Sequence, residues 1–157
     1  MNTLETYRSA QREINVPVEQ VFTLLATPGE HHRFDATAMV GESATPQRLS
    51  QVGDIFTMEM TYRGGDEAMH YRTENHVTIL EEPRCVEWAV ASPGKQPFGW
   101  RWRYELESSG PAKTRVTLTY DWADTPQEYM SRFGVPLVTE DQLAASLSLL
   151  AKATEDA

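Results

Sequence analysis

The sequence predicts an α+β fold: a curved antiparallel sheet of about seven strands, covered by a long C-terminal helix, with two short helices after the first strand. Three observations carry this. Five stretches between residues 53 and 122 alternate apolar and polar side chains, short Gly- or Pro-bearing connections join them, and the chain ends in a segment with one apolar stripe. An alternating meander is wet on one face only, so its dry face needs a cover, and the terminal helix supplies it.

The elements follow in chain order. A strand is expected near residues 6–14 and a helix from Pro17, where PVEQVFTLLA places Val18, Val21, Phe22 and Leu25 at helical spacing. A second short helix is expected from TPGE at 27–30, with Thr at the cap, Pro first and Glu three after the cap; TPQE at 125–128 repeats that capping-box pattern. The first meander strand, 55–62, turns Phe56, Met58, Met60 and Tyr62 to one face; the second, 69–79, turns Met69, Tyr71, Thr73, Asn75, Val77 and Ile79 the same way. Val86, Trp88 and Val90 follow, then Trp100, Trp102, Tyr104 and Leu106 within GWRWRYEL, then Val116, Leu118, Tyr120 and Trp122. The intervening His70, Arg72, Glu74, His76, Arg101, Arg103 and Glu105 mark the wet face, where alternating charges keep strands soluble. Past Gly134 and Pro136, TEDQ from Thr139 opens the terminal helix, whose Leu143, Leu147, Leu150 and Ala151 form one stripe.

Composition narrows the function classes. A chain of 157 residues is read as a single domain, 1–157, long enough to bury a substantial core. Its 14 Lys and Arg against 23 Asp and Glu give a net charge of −9, a field that repels phosphate polymers and anionic membranes, so no nucleic-acid partner is expected. The N-terminal MNTLETYRSAQ lacks a basic region followed by an apolar run, and no apolar stretch is long enough to span a bilayer; no membrane insertion and a cytoplasmic location are the expectation. One cysteine, Cys85, excludes an intrachain disulfide framework.

The order of elements brings a resemblance with it. INVPVEQVFTLLATPGEHHRFD, VGDIF at 52–56, EEPRCVEW at 81–88 and KTRVTLTYDW at 113–122 are similar to motifs of the START-like superfamily that includes polyketide cyclases and dehydrases. The chain looks most like small actinobacterial-type members without a common catalytic signature. The resemblance implies a helix-grip architecture, a curved sheet wrapped around the last helix with an apolar cavity between them. That superfamily houses carriers, cyclases and co-chaperones, so it speaks to fold more than to activity.

The residues point to a cavity independently. The dry parities hold four tyrosines and all four tryptophans, whereas the whole chain has three isoleucines; polar-tipped rings need partners when buried, which a ligand can provide. The expected lining is Phe34 from the second helix, Met58, Met60, Tyr71, Asn75, Trp88, Trp100, Trp102, Tyr104 and Tyr120 from the sheet, and Leu143 and Leu147 from the terminal helix. Such a site fits a binding protein for a hydrophobic small molecule, with affinity from apolar burial and orientation from tyrosines and Asn75.

Chemistry is sparser. His32 and Asp35, three apart, have the spacing for a carboxylate to orient an imidazole base, against the plainer reading of a solvated helix end. The alternative function is therefore a cyclase or dehydratase in the same cavity, using His32, Asp35, Tyr71 and Tyr104. No cofactor is implied. His70 and His76 share a strand face but lie roughly 20 Å apart in extended chain, too far to ligate one ion, and no metal site is expected. A partner-binding module would need a large apolar patch on the wet face, which the alternation does not provide. Either a monomer or a homodimer is compatible with the acidic surface.

Overall fold

The computed structural model describes residues 5–63 and 65–155. Its strands are β1 (Tyr7–Ile14), β2 (Val40–Ser43), β3 (Ile55–Tyr62), β4 (Met69–Glu81), β5 (Cys85–Ala91), β6 (Arg101–Gly110) and β7 (Lys113–Asp121). They form one antiparallel sheet in the order β1-β7-β6-β5-β4-β3-β2. Helix α1 (Val18–Leu25) and a 3-10 helix (Pro28–Phe34) follow β1; α2 (Gln127–Phe133) and α3 (Glu140–Glu155) close the chain. This is the α+β helix-grip arrangement that the sequence predicts.

The period-two pattern holds along most of the sheet and breaks where β4 bulges. Val77 faces Trp88 on β5, but after the register shift Ile79 lies opposite Glu87 and Leu80 opposite Val86. A bulge inserts one residue and swaps faces beyond it, so Leu80, not Ile79, packs against the core. Ile79 joins the outer face. At the other end of β4, in the β3–β4 hairpin, Tyr62 pairs directly with Met69, and the two are 48% and 60% exposed. They share the dry parity but stand past the reach of the helices.

The stripes predicted on the helices are buried. Val21, Phe22 and Leu25 on α1 and Leu143, Leu147, Leu150 and Ala151 on α3 are all 2% exposed or less. Helix α3 packs chiefly against β1, β7, α1 and the 3-10 helix. The cover over the dry face is therefore shared, and the span between α3 and the central strands is left to side chains.

Neither of the two expected capping boxes closes, whereas one that was not expected does, at the start of α3. Thr139 Oγ1 accepts from the Gln142 backbone N–H at 3.1 Å, while Gln142 Oε1 accepts from the Thr139 N–H at 2.9 Å. Thr27 instead donates its hydroxyl to the Thr23 carbonyl at 2.6 Å, because it directly follows α1 and satisfies the end of that helix. The Thr125 hydroxyl is buried with no partner among the described residues, and α2 starts one residue later than the pattern implies.

Candidate functional site

The ring-lined region beneath β3–β6 is built from the 3-10 helix upward. Three residues per turn place Pro28, His31 and Phe34 on one buried side. From there the His31 ring meets Trp88 of β5 at 5.0 Å between centroids and 23° between planes, and meets Phe56 of β3 edge-on at 5.3 Å. Phe34 lies 5.2 Å from His31 and 6.1 Å from Tyr104 of β6, and Tyr104 in turn lies 5.9 Å from Trp88. Five rings from four elements thus enclose one another, with a single imidazole among them.

Its hydrogen bonding fixes the imidazole's chemistry. His31 Nε2 lies 2.7 Å from the Leu25 carbonyl oxygen. A carbonyl only accepts, so Nε2 carries the proton and, in the neutral ring, Nδ1 holds a lone pair. Burial lowers the His31 pKa to about 4, against smaller opposing contributions from the Leu25 hydrogen bond and the Glu30 charge, so the ring is neutral at physiological pH. No described residue pairs with Nδ1.

Other polar tips on this face are also unspent. Tyr104 is 5% exposed, and no described residue hydrogen-bonds its hydroxyl; burial, then the Asp35 charge, pushes its ionisation well above the usual phenol range. Tyr71, half-buried, is shifted the same way by burial and then by Asp35 and Tyr62. Tyr120, in register with Trp102 and 4.8 Å from it between ring centroids, is fully buried, with its hydroxyl beside the Leu137 backbone. Asn75 has committed its amide N–H groups to the Phe56 carbonyl and the Thr73 hydroxyl, both at 3.2 Å. Only its carbonyl remains for anything else.

The remaining expected residues divide. Met58 is buried and Met60 half-buried on β3, while Leu143 and Leu147 face inward from α3 at 1% exposure each. Trp88, Trp102 and Tyr120 form one cross-strand row. Trp100 belongs to a different group: it stacks on Phe98 at 4.7 Å and meets Phe133 of α2 at 5.7 Å, near the end of the sheet where α2 lies. His32 and Asp35 are not brought together as a pair. His32 is exposed, whereas the Asp35 carboxylate accepts from the backbone N–H groups of Thr37, Met39 and Val40 and from the Thr37 hydroxyl, at 2.6–3.0 Å. Asp35 shapes the turn into β2, and the buried histidine is its neighbour, His31. The period of three in Pro28, His31 and Phe34 is the signal that selects His31 over His32.

The outer face is mostly polar, with Ile55 and Ile79 as apolar exceptions. Its other His and Glu side chains go to separate partners, His70 to Thr61, Glu74 to the Gly94 N–H, and buried Glu87 to Arg103 at 3.0 Å and Thr78 at 2.8 Å, while no described residue pairs with His76 Nε2. Among the described residues no three His, Cys, Asp or Glu side chains gather as a metal site, and no helix is long and apolar enough to cross a membrane. An outer-face groove of about 610 Å³ runs past Arg84, Cys85, Arg103 and Arg115, with the Cys85 thiol pushed up to about 11 by burial; a second, of about 560 Å³, lies between α1 and the end of α3. Neither groove is lined by the residues expected around the interior.

Comparison with known proteins places this architecture. An uncharacterised protein of Mycobacterium tuberculosis, Rv0088, is 35% identical over 111 residues, which are 70% of this chain and 45% of that protein; the chain thus matches less than half the length of this curated relative. Among solved structures, the aromatase/cyclase ZhuI of Streptomyces sp. R1128 superposes with a TM-score of 0.62 at 13% identity, covering 95% of this chain and 93% of that one. Norcoclaurine synthase of Thalictrum flavum, in complex with dopamine and hydroxybenzaldehyde, gives 0.62 at 16% identity over 96% of this chain and 86% of that one. At such identities these likenesses establish the shared fold, and they agree with the START-like, polyketide cyclase-like resemblance of the sequence. The family described as activator of Hsp90 ATPase homolog 1-like protein matches residues 15–152, and the chain belongs to that family.

Proposed function

We propose that this protein binds a hydrophobic, ring-bearing small molecule between the aromatic face of its sheet and the helices that cover it. The observation that carries this reading is a pair of polar tips on that face, in residues each 5% exposed, to which no described residue hydrogen-bonds: His31 Nδ1 and the Tyr104 hydroxyl. Polar groups in the interior are almost always paired, and each one left bare costs about 1–3 kcal/mol, so two on one face call for a further occupant. Met58 and Met60 beside them supply a surface that adapts to shape. Two fold relatives are an aromatase/cyclase and a synthase holding aromatic molecules, which supports the same reading of this interior.

A cyclase or dehydratase reading has less behind it. Asp35 is engaged in four hydrogen bonds to its own loop, and the imidazole that is buried, His31, is a weak base with its pKa near 4. Native mass spectrometry and organic-solvent extraction of the purified protein test the binding reading. A co-purified small molecule, or saturable uptake of naphthalene, is the expected result; an empty protein that takes up no apolar ring compound overturns it.

A further inference from the structure

We propose that the interior selects an uncharged aromatic ligand bearing a hydrogen-bond donor and an acceptor, with His31 Nδ1 accepting from the ligand and the Tyr104 hydroxyl donating to it. This rests on the reading of the interior as a ligand site and adds the class of ligand and the two residues that choose it.

Geometry leaves the two residues these roles. The Leu25 carbonyl occupies Nε2 of His31 at 2.7 Å, so the ring presents only an acceptor. Phe34, Phe56 and Trp88, all within 5.3 Å of the imidazole centroid, offer that acceptor no polar partner. Tyr104 touches two of the same rings, Phe34 at 6.1 Å and Trp88 at 5.9 Å, and its hydroxyl is the nearby group able to donate. A flat ring system fits walls that are themselves flat, and its polar substituents would be held by one acceptor and one donor.

Charge selects as well. His31 remains neutral because protonating it in this surrounding is costly, and Tyr104 remains protonated because burial and the nearby Asp35 carboxylate both oppose its ionisation. His31 and Tyr104 thus bring no positive charge to an anionic ligand, and the Asp35 carboxylate is close by. A carboxylate-bearing ring would be desolvated without compensation.

Four probes separate the parts of this proposal by calorimetric titration: naphthalene, 2-naphthol, 2-acetylnaphthalene and 2-naphthoate. In the unaltered protein 2-naphthol and 2-acetylnaphthalene are each expected to bind about fivefold tighter than naphthalene, the worth of one net hydrogen bond. 2-Naphthoate is expected at least about tenfold weaker than 2-naphthol. His31→Phe should abolish the advantage of 2-naphthol and keep that of 2-acetylnaphthalene; Tyr104→Phe should do the reverse. Because His31→Phe disturbs a packed ring cluster, a second readout uses the unaltered protein: the 15N resonance of the unprotonated His31 nitrogen should move on adding 2-naphthol and stay on adding naphthalene. Equal binding of naphthalene and 2-naphthol, or a stationary resonance at saturation, overturns the proposal while leaving the ligand site standing. Failure of all four probes to bind overturns the ligand site itself.

Discussion

The imidazole of His31 lies 5.0 Å from the Trp88 ring and within 23° of parallel to it, while its Nε2–H is held by the Leu25 carbonyl at the end of α1. One contact ties the histidine to the sheet and the other to the helical cover. The ring is thereby a structural link across the interior as well as a polar group within it.

Acid should weaken the fold through this residue. His31 titrates at about 6.5 in the unfolded chain and at about 4 in the fold, so between those values the unfolded chain holds a proton that the native one lacks. The contribution is fully present above pH 6.5, is lost as pH falls towards 4, and amounts to about 3 kcal/mol over that window. Glu30, itself paired with Arg33 at 2.8 Å, and His32 are neighbours on the same helix, and both act on His31 less strongly than burial. Urea unfolding at pH 7, 5.5 and 4 should show a steeper acid loss for the unaltered protein than for His31→Phe. Parallel pH profiles would refute this.

Asp35 should matter to stability rather than to chemistry. Removing its carboxylate leaves three backbone N–H groups and the Thr37 hydroxyl without their acceptor. Asp35→Ala is expected to cost about 3 kcal/mol and Asp35→Asn, which keeps one acceptor oxygen, about 1 kcal/mol. Thermal and urea denaturation give both numbers, and naphthalene uptake by the Asn variant should match that of the parent.

Thr139, which caps its helix, and Thr125, which does not, should behave differently. Thr139→Ala breaks a reciprocal capping box and is expected to cost about 1 kcal/mol. Thr125→Val removes a buried hydroxyl that has no partner among the described residues and should be neutral or stabilising. Equal costs in chemical denaturation would contradict the observed hydrogen bonding.

Gly99 joins the β5–β6 connection to the segment after β7. Its φ is +124°, and a Cβ there would stand 2.5 Å from the Asp124 carbonyl oxygen and 2.6 Å from Thr125 Cα. Gly99→Ala should cost at least about 3 kcal/mol, whereas Gly94→Ala, with positive φ but open space around it, should cost about 1–2 kcal/mol. Comparing the two melting curves separates close approach from backbone conformation alone.

The strands, their inward parities and the α3 stripe are legible because period two and period 3.6 are local properties that burial enforces everywhere along an element. The β4 bulge was not, since nothing in MHYRTENHVTILE distinguishes a strand that keeps its register from one that slips by one residue after Val77. The reach of the cover was likewise invisible: Tyr62 and Met69 read as interior by parity and lie outside because the helices end short of the hairpin tip. Trp100 reads with Trp102 and Tyr104, yet its partners Phe98 and Phe133 come from a loop and a helix whose placement no strand pattern encodes.

For this chain, then, alternation and helical spacing by themselves determined an antiparallel sheet, its dry aromatic face and a terminal helix, because each depends on which side chains avoid water along a single element. Tertiary structure alone decided that His31 meets Trp88 and the Leu25 carbonyl, that Asp35 is spent on its own loop, and which polar tips go unpaired. Those outcomes depend on the meeting of a 3-10 helix, the end of α1 and three strands. Hydrogen-bond satisfaction is a property of what surrounds a group in space, and that neighbourhood exists only once the elements are packed.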